Sequence, residues 1–226
     1  MQLILSSATL PDSSLETLRR GARKRDLEGL EWVTPPSEGP PVPNAEPSLS
    51  NGMPSVRWIL LDEAPNVADV LYWSRKAHLR GAGLLLRSTV GESPLCVPLA
   101  TLHGTDPEAA QRAAAWARMH DAQTCWEFQV GATEETTMEQ VLSITAPTLG
   151  HVRLVGAGLE EAPAGAASSV TSTLFKELAL RGYDGTVALA PSEQGREGKW
   201  RAWLFDKRGW GCNTAAKKRE ERAAAS

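Results

Sequence analysis

Thr124-Cys125-Trp126-Glu127-Phe128-Gln129-Val130 and His151-Val152-Arg153-Leu154-Val155 are short runs that alternate residue by residue. Successive side chains of a strand point to opposite faces. One face of the first run carries Thr124, Trp126, Phe128 and Val130, and the other Cys125, Glu127 and Gln129. In the second, Val152 and Leu154 oppose His151, Arg153 and Val155. A parallel strand covered on both sides ordinarily reads as a nearly continuous apolar run. Charges on one face of such strands therefore point into a polar interior, and the mouth of a barrel is the natural place for one. A third apolar run, Gly185 to Ala190, follows, and helical patterns over Glu134 to Thr145 and Ser168 to Arg181 separate the three.

The same rhythm extends back to the N-terminus. Further strands are expected at Leu3 to Ala8, Gly29 to Val33, Val56 to Asp62, Ala82 to Arg87 and Val97 to His103. Helices are expected over Ser13 to Asp26, Asn66 to Arg80 and Pro107 to Asp121. Ser14 gives a cap signal for the first of these, and Asp106-Pro107-Glu108 supplies a capping carboxylate followed by proline at the first helical position. Gly182 after Arg181 marks a helix stop. Strands alternating with helices imply a parallel sheet with right-handed crossovers. Eight of them suggest closure into a compact (β/α)8 TIM barrel, with an open doubly wound sheet as the other possibility. No GxGxxG or GxxxxGK sequence supports nucleotide binding. Two connections depart from the pattern. Thr34 to Ser55 contains seven prolines and no helical period, so a proline-rich loop is expected in place of the second helix. Ser88 to Cys96 is too short for a full helix. The expected organisation is one barrel domain over residues 1–212, with a helix or solvated tail over 213–226.

Composition bounds the partners. At 226 residues, 42% hydrophobic and 23% charged, the chain is ordinary for a soluble domain. A formal net charge of -3 gives no reason to expect nucleic acid or an anionic membrane as a partner. The basic run Arg19 to Arg25 falls on an outer helix and reads as a solvated face. No leader is visible, and no run approaches the ~18 apolar residues of a membrane span. Cys96, Cys125 and Cys212 form no CxxC pair, so a reducing cytoplasm is the expectation, with Cys96 and Cys125 as buried structural thiols.

Four places resemble the xylose-isomerase-like barrel superfamily, which includes sugar phosphate isomerases and epimerases and the endonuclease-IV-type nucleases. The opening, Leu5-Ser6-Ser7-Ala8-Thr9-Leu10 with Leu27-Glu28-Gly29-Leu30-Glu31-Trp32, resembles the family's start, in which a helix leads into a "G-hydrophobic-E" strand. Cys125-Trp126-Glu127-Phe128-Gln129 lies where a sixth strand usually carries a metal-binding Asp. His151-Val152-Arg153-Leu154 resembles the "HVHxxD" seventh strand, and Leu180-Arg181-Gly182-Tyr183-Asp184-Gly185-Thr186-Val187 the "GYxGxxxxE" eighth. The resemblance implies a sugar ligand and a divalent ion such as Mn, Mg or Zn on carboxylates and imidazoles of the later strands. The chain departs from that pattern. Arg153 stands at the seventh-strand ligand position and offers no lone pair. The eighth-strand carboxylate position falls near Ala188 or Ala190, with Glu193 only in the following loop, and the sixth-strand position holds Glu127 or Gln129. The cofactor expectation is therefore none, or one of those divalent ions, with its ligands unknown.

Strand parity gives an inward set of Glu31, Arg87, His103, Glu127, Gln129 and Arg153. Arg87, His103 and Gln129 fall near the C-terminal strand ends, which host barrel active sites. Glu127 and Arg153 are expected to form a buried ion pair whatever the function, since unpaired charges inside are costly. Alternatively, Arg87 and Arg153, with Gln129, bind a small anionic or sugar ligand, because a guanidinium fork suits oxyanions. Glu127 or Glu31 would then be the general base and His103 the acid. Ser7 is a candidate substrate contact, or a hydroxyl that satisfies backbone. His151 is expected at the opposite end in a structural role, and His78 and His120 on outer helices. Asp62-Glu63 could form a second acidic pair at the mouth, and Trp200, Trp203 and Trp210 an aromatic wall. The leading function, as the resemblance implies, is a sugar or sugar-phosphate isomerase or epimerase, possible without a metal. The alternatives are a non-catalytic binding or structural barrel and an endonuclease-IV-like nuclease. The nuclease fits poorly with a total of four histidines.

Overall fold

A computed structural model describes residues 1–9, 15–24, 27–34, 54–61, 66–87, 97–156 and 165–191. Eight parallel strands close into a barrel in sequence order: β1 (Gln2–Ser6), β2 (Gly29–Thr34), β3 (Ser55–Leu61), β4 (Gly83–Leu86), β5 (Leu99–His103), β6 (Gln123–Gln129), β7 (Leu149–Gly156) and β8 (Thr186–Pro191). β1 pairs with β8 to complete the ring. The open-sheet alternative is thereby excluded. Among the described residues five α-helices accompany the strands: α1 (Leu15–Lys24), α2 (Val67–His78), α3 (Pro107–Met119), α4 (Glu135–Thr145) and α5 (Gly165–Leu180). The proline-rich connection, Ser14, Asp62-Glu63, Cys96, Glu193, the Trp200 to Trp210 cluster, Cys212 and the 213–226 tail lie outside the described residues.

The helix starts follow their local chemistry. Asp106 caps α3 by accepting the backbone N–H groups of Glu108 and Ala109, with Pro107 next in line. Asn66 and Asp69 form a reciprocal capping box at α2. The outward faces of the strands and the inner faces of the helices form the larger apolar layer, built on residues such as Leu5, Ile59, Leu84, Trp126, Phe128, Leu154 and Phe175. Each fully buried large side chain of this kind contributes about 1.5–3 kcal/mol of transfer free energy. A separate cluster of Ile4, Trp58, Leu60, Leu85, Ala100, Cys125 and Ala188 lies inside the barrel, with Val33 and Leu102 packed against it.

Two register shifts fix what points inward. Between β2 and β3, Leu30 pairs with Val56 but Glu31 pairs with Trp58, which leaves Arg57 as an exposed extra residue. Between β6 and β7, Thr124 pairs with Leu149 but Cys125 pairs with His151, which leaves Gly150 extra. A bulge re-aims the side chains that follow it. Here the two bulges turn Trp58 and His151 into the barrel, where their rings lie 5.5 Å apart. Gly83, the register partner of Trp58, makes room for the indole, because a methyl group there would overlap it.

Candidate functional site

The inward polar residues form one connected network around Glu31 and Arg153. Glu31 is fully buried on β2. The Ser6 hydroxyl at the end of β1 donates to its Oε1 at 2.6 Å, and Arg153 Nε donates to both carboxylate oxygens at 3.0 Å. His151 Nε2 stands 2.9 Å from Oε2. Arg153 Nη1 also donates to Glu127 Oε2, in a short contact. Glu127 is the register partner of Arg153 on β6, whereas Glu31 reaches it from β2. β2 and β6 are four strands apart in the ring, on opposite walls, so Arg153 ties the barrel across its axis. Ala188, the other register neighbour of Arg153, leaves the space for its stem.

Below this triad the network continues to the N-terminal end. The Trp58 indole N–H donates to Thr186 Oγ1 at 2.8 Å, and His151 Nδ1 lies 2.6 Å from the same oxygen. An indole nitrogen only donates, so Thr186 Oγ1 accepts there and can pass its own proton to Nδ1. His151 Nδ1 also lies 3.2 Å from the Thr186 carbonyl, so the imidazole is held between the start of β8 and Glu31. The Tyr183 hydroxyl donates to the carbonyl of Thr186 at 2.9 Å and anchors the start of β8.

Electrostatics follow from this geometry. Burial pushes the Glu31 carboxyl up, but Arg153, His151 and Ser6 together outweigh it and hold the group at about 2, against an ordinary 4.5. Burial works against the charge on Arg153, yet its carboxylate neighbours, Glu31 foremost, raise its pKa above the usual value. Burial raises the Cys125 thiol well above its ordinary pKa, so this cysteine is an inert interior residue.

The expected Glu127–Arg153 pair forms, and its stronger partner is Glu31. Glu31 does point inward, but its carboxylate is sealed and fully engaged, so the general-base role considered for it has no geometric support. His103 requires a correction. It pairs in register with Trp126 of the outer layer, while Leu102 pairs with inward Cys125. His103 therefore faces the helices, with Nδ1 3.0 Å from the Gly104 carbonyl, and cannot serve as an acid opposite Glu127 inside the barrel. Its position at a strand end invited a parity count that was off by one. Burial lowers its pKa below 6.5. Ser7 Oγ accepts the Val33 N–H at 2.7 Å, the backbone-satisfying alternative, and the neighbouring Ser6 is the hydroxyl that joins the network. Arg87 follows inward Leu85 by two residues and is exposed at the C-terminal end of β4, near enough to act on the Cys125 thiol. Gln129 is half-buried at the end of β6. His151 is structural as expected, but it reaches the central carboxylate instead of standing apart from it. Trp58 and Thr186 were not anticipated, and the bulge at Arg57 hides the inward parity of Trp58 from simple alternation.

The divalent ion implied by the resemblance does not fit these residues. Both Glu31 oxygens and one Glu127 oxygen are committed to Arg153, His151 or Ser6, and the eighth strand offers Ala188 and Ala190. Among the described residues no three His, Cys, Asp or Glu side chains converge closely enough to hold a metal. Among the same residues, no helix is long and apolar enough to cross a membrane.

No protein-family model and no curated protein matches this chain. Among solved structures it is similar to the apo form of 3-keto-D-glucoside 4-epimerase from E. coli, at 11% identity and TM-score 0.61 over 92% of this chain and 99% of that one. A second match, D-psicose 3-epimerase with D-tagatose from Clostridium cellulolyticum H10, has 10% identity and TM-score 0.38 over 96% of this chain and 99% of that one. What this chain shares with the keto-glucoside epimerase is the fold, a closed barrel of eight parallel strands.

Proposed function

We propose that this barrel is an isomerase- or epimerase-like protein that takes an uncharged sugar at the C-terminal ends of its strands, with Glu127 as the proton-transferring group. The observation that carries this is the difference in depth between two carboxylates on one guanidinium. The Glu31 side chain is wholly sealed, whereas that of Glu127 is 17% exposed and faces the end of the barrel where such folds place their chemistry. A carboxylate there can take a proton from a carbon beside a carbonyl. The electron pair then moves to the carbonyl oxygen, the proton of the adjacent hydroxyl passes to that oxygen, and return of the abstracted proton to the former carbonyl carbon leaves the new carbonyl on its neighbour, completing an isomerisation on one face. Inversion at a single carbon needs a second group on the opposite face.

Charge favours a neutral sugar over a sugar phosphate. Glu31 and Glu127 already balance Arg153 and leave the triad with an excess negative charge, so Arg153 is a poor anchor for a dianion. Arg87 and Gln129 at the strand ends supply donors for hydroxyl groups. The fold shared with a keto-glucoside epimerase supports the same reading.

The test is solvent-deuterium exchange followed by NMR across uncharged aldoses, ketoses and keto-glycosides. The expected result is deuterium wash-in at one carbon, lost in Glu127→Gln while the fold is kept. Sugar binding with no wash-in would instead support the rival reading of a barrel that binds without turnover. That rival is favoured by the direct contact between Glu127 and Arg153, which occupies one carboxylate oxygen.

A further inference from the structure

We propose that Arg153 is the resident cation of this barrel, holding permanently the place between opposing carboxylates that an exchangeable divalent ion would otherwise fill. Its surroundings have the chemistry of a hard-cation site. Two carboxylates converge on it from opposite walls, and an imidazole stands 2.9 Å from one of them. Oxygen and imidazole donors are the usual partners of divalent metals. Two ionised carboxylates cannot both be kept inside a barrel without a positive charge between them. Here that charge is covalently attached to β7. A guanidinium is charged at every accessible pH and cannot be chelated or exchanged. Its planar fork spans the two walls in a way a single spherical ion would not, with Nε serving Glu31 and Nη1 serving Glu127.

The structure is built to seat this side chain. Ala188 beside it in register is small, and Ser6 and His151 hold the Glu31 carboxylate from sides that Arg153 does not use. The misfit of a metal and the fit of the arginine are thus one fact: the cation position is filled by the chain itself.

The experiment uses Mn²⁺ as the probe, read by electron paramagnetic resonance and by thermal unfolding. The wild-type protein should leave the free-ion spectrum unchanged at millimolar Mn²⁺ and unfold at the same temperature with or without a chelator. Arg153→Ala should unfold at a lower temperature and recover part of the loss with millimolar guanidinium. Urea, which has the same planar shape without the charge, should not restore it. The same variant should gain Mn²⁺ binding that Glu127→Gln removes. At a hundredfold excess over Kd this would raise its Tm by about 5–10 °C. Equal responses to guanidinium and urea, or no response to either cation, would overturn the proposal. Should Arg153→Ala fail to fold, wild type and Arg153→Lys decide the matter, since both keep the charge and should ignore Mn²⁺. Near-stoichiometric Mn²⁺ on either, abolished by Glu127→Gln, would show that a metal and not Arg153 is the resident cation.

Discussion

Glu31→Gln tests the centre of the network most directly. Both oxygens of Glu31 accept: Oε1 from Ser6 and Arg153, and Oε2 from His151 and Arg153. A glutamine amide has one oxygen, so its NH₂ group must face at least one of these donors. The Arg153 Nε–H cannot turn away or give up its proton. The substitution also leaves a guanidinium with a 5% exposed side chain and only Glu127 to balance it. Removing one partner of a buried ion pair costs about 3–5 kcal/mol. The titration gives a similar figure: a carboxyl held at about 2 instead of 4.5 represents about 3 kcal/mol. For a chain of this size that corresponds to a fall in Tm of about 6–20 °C at neutral pH. The pH dependence carries the sign. Because the folded pKa lies below the unfolded one, the ionised Glu31 stabilises fully above pH 4.5, and that contribution drains away as pH falls from 4.5 toward about 2. Wild type should therefore lose stability across that window more steeply than Glu31→Gln, and the two should approach each other near its lower end. A Tm within 2 °C of wild type at neutral pH, or parallel acid-unfolding curves, would refute the assignment of Glu31 as an ionised, paired carboxylate.

Three further outcomes follow from single contacts. Gly83→Ala should cost about 1–3 kcal/mol or more in a urea titration with unchanged slope, because the new methyl overlaps the Trp58 indole inside the barrel. Thr186→Val keeps the shape but strands the Trp58 N–H, at a cost of about 1–3 kcal/mol, and a double-mutant cycle with Trp58→Phe should show coupling near ~1 kcal/mol. His103→Leu should leave stability at pH 8 nearly unchanged. The His103 pKa is lowered on folding, so wild type loses stability as pH falls below 6.5, and the variant should lack that component in Tm measured against pH.

The barrel was legible because its two periodicities are clean. Each strand expected from alternation or an apolar run is present within two residues at nearly every end, and the helices between them carry readable caps at Asn66 and Asp106. Glu31, Glu127 and Arg153 were legible as inward charges for the same reason, since on β2, β6 and β7 they share parity with their neighbours in the ring. What escaped was set by events that periodicity does not encode. The extra residue Arg57 shifts register with no glycine or proline at the break and brings Trp58 inward, whereas the second bulge falls on Gly150, just ahead of the alternating run that begins at His151. His103 was misassigned because a polar side chain beside apolar Leu102 reads as the inward member of the pair, whereas Leu102 pairs with inward Cys125 and His103 with outer Trp126. The expected partner Glu127 is present, but a second partner of Arg153 escaped for a topological reason. Neighbouring strands suggested Glu127, but a long side chain beside Ala188 can cross the lumen to β2, and sequence distance says nothing about the width of a barrel.

Depth, more than residue type, separates the two carboxylates. Glu31 and Glu127 are the same side chain, on opposite walls, sharing one guanidinium. Ser6 and His151 bind the first from the sides that Arg153 leaves open, and its side chain is fully buried. Among the described residues the second has Arg153 alone as a hydrogen-bonding partner, and its side chain is 17% exposed. A group that is sealed and held ionised cannot change its protonation during a reaction, so it serves to fix Arg153. A group at the surface of the same network can exchange a proton without dismantling it. Environments that push like groups apart are how one site comes to contain both a fixed charge and a working one. On that ground the proposed function gives the fixed role to Glu31 and the working role to Glu127. The division depends on the bulge at Gly150: His151 and Arg153 share a face of β7, so without it both would turn from the lumen and the deep carboxylate would lose both partners.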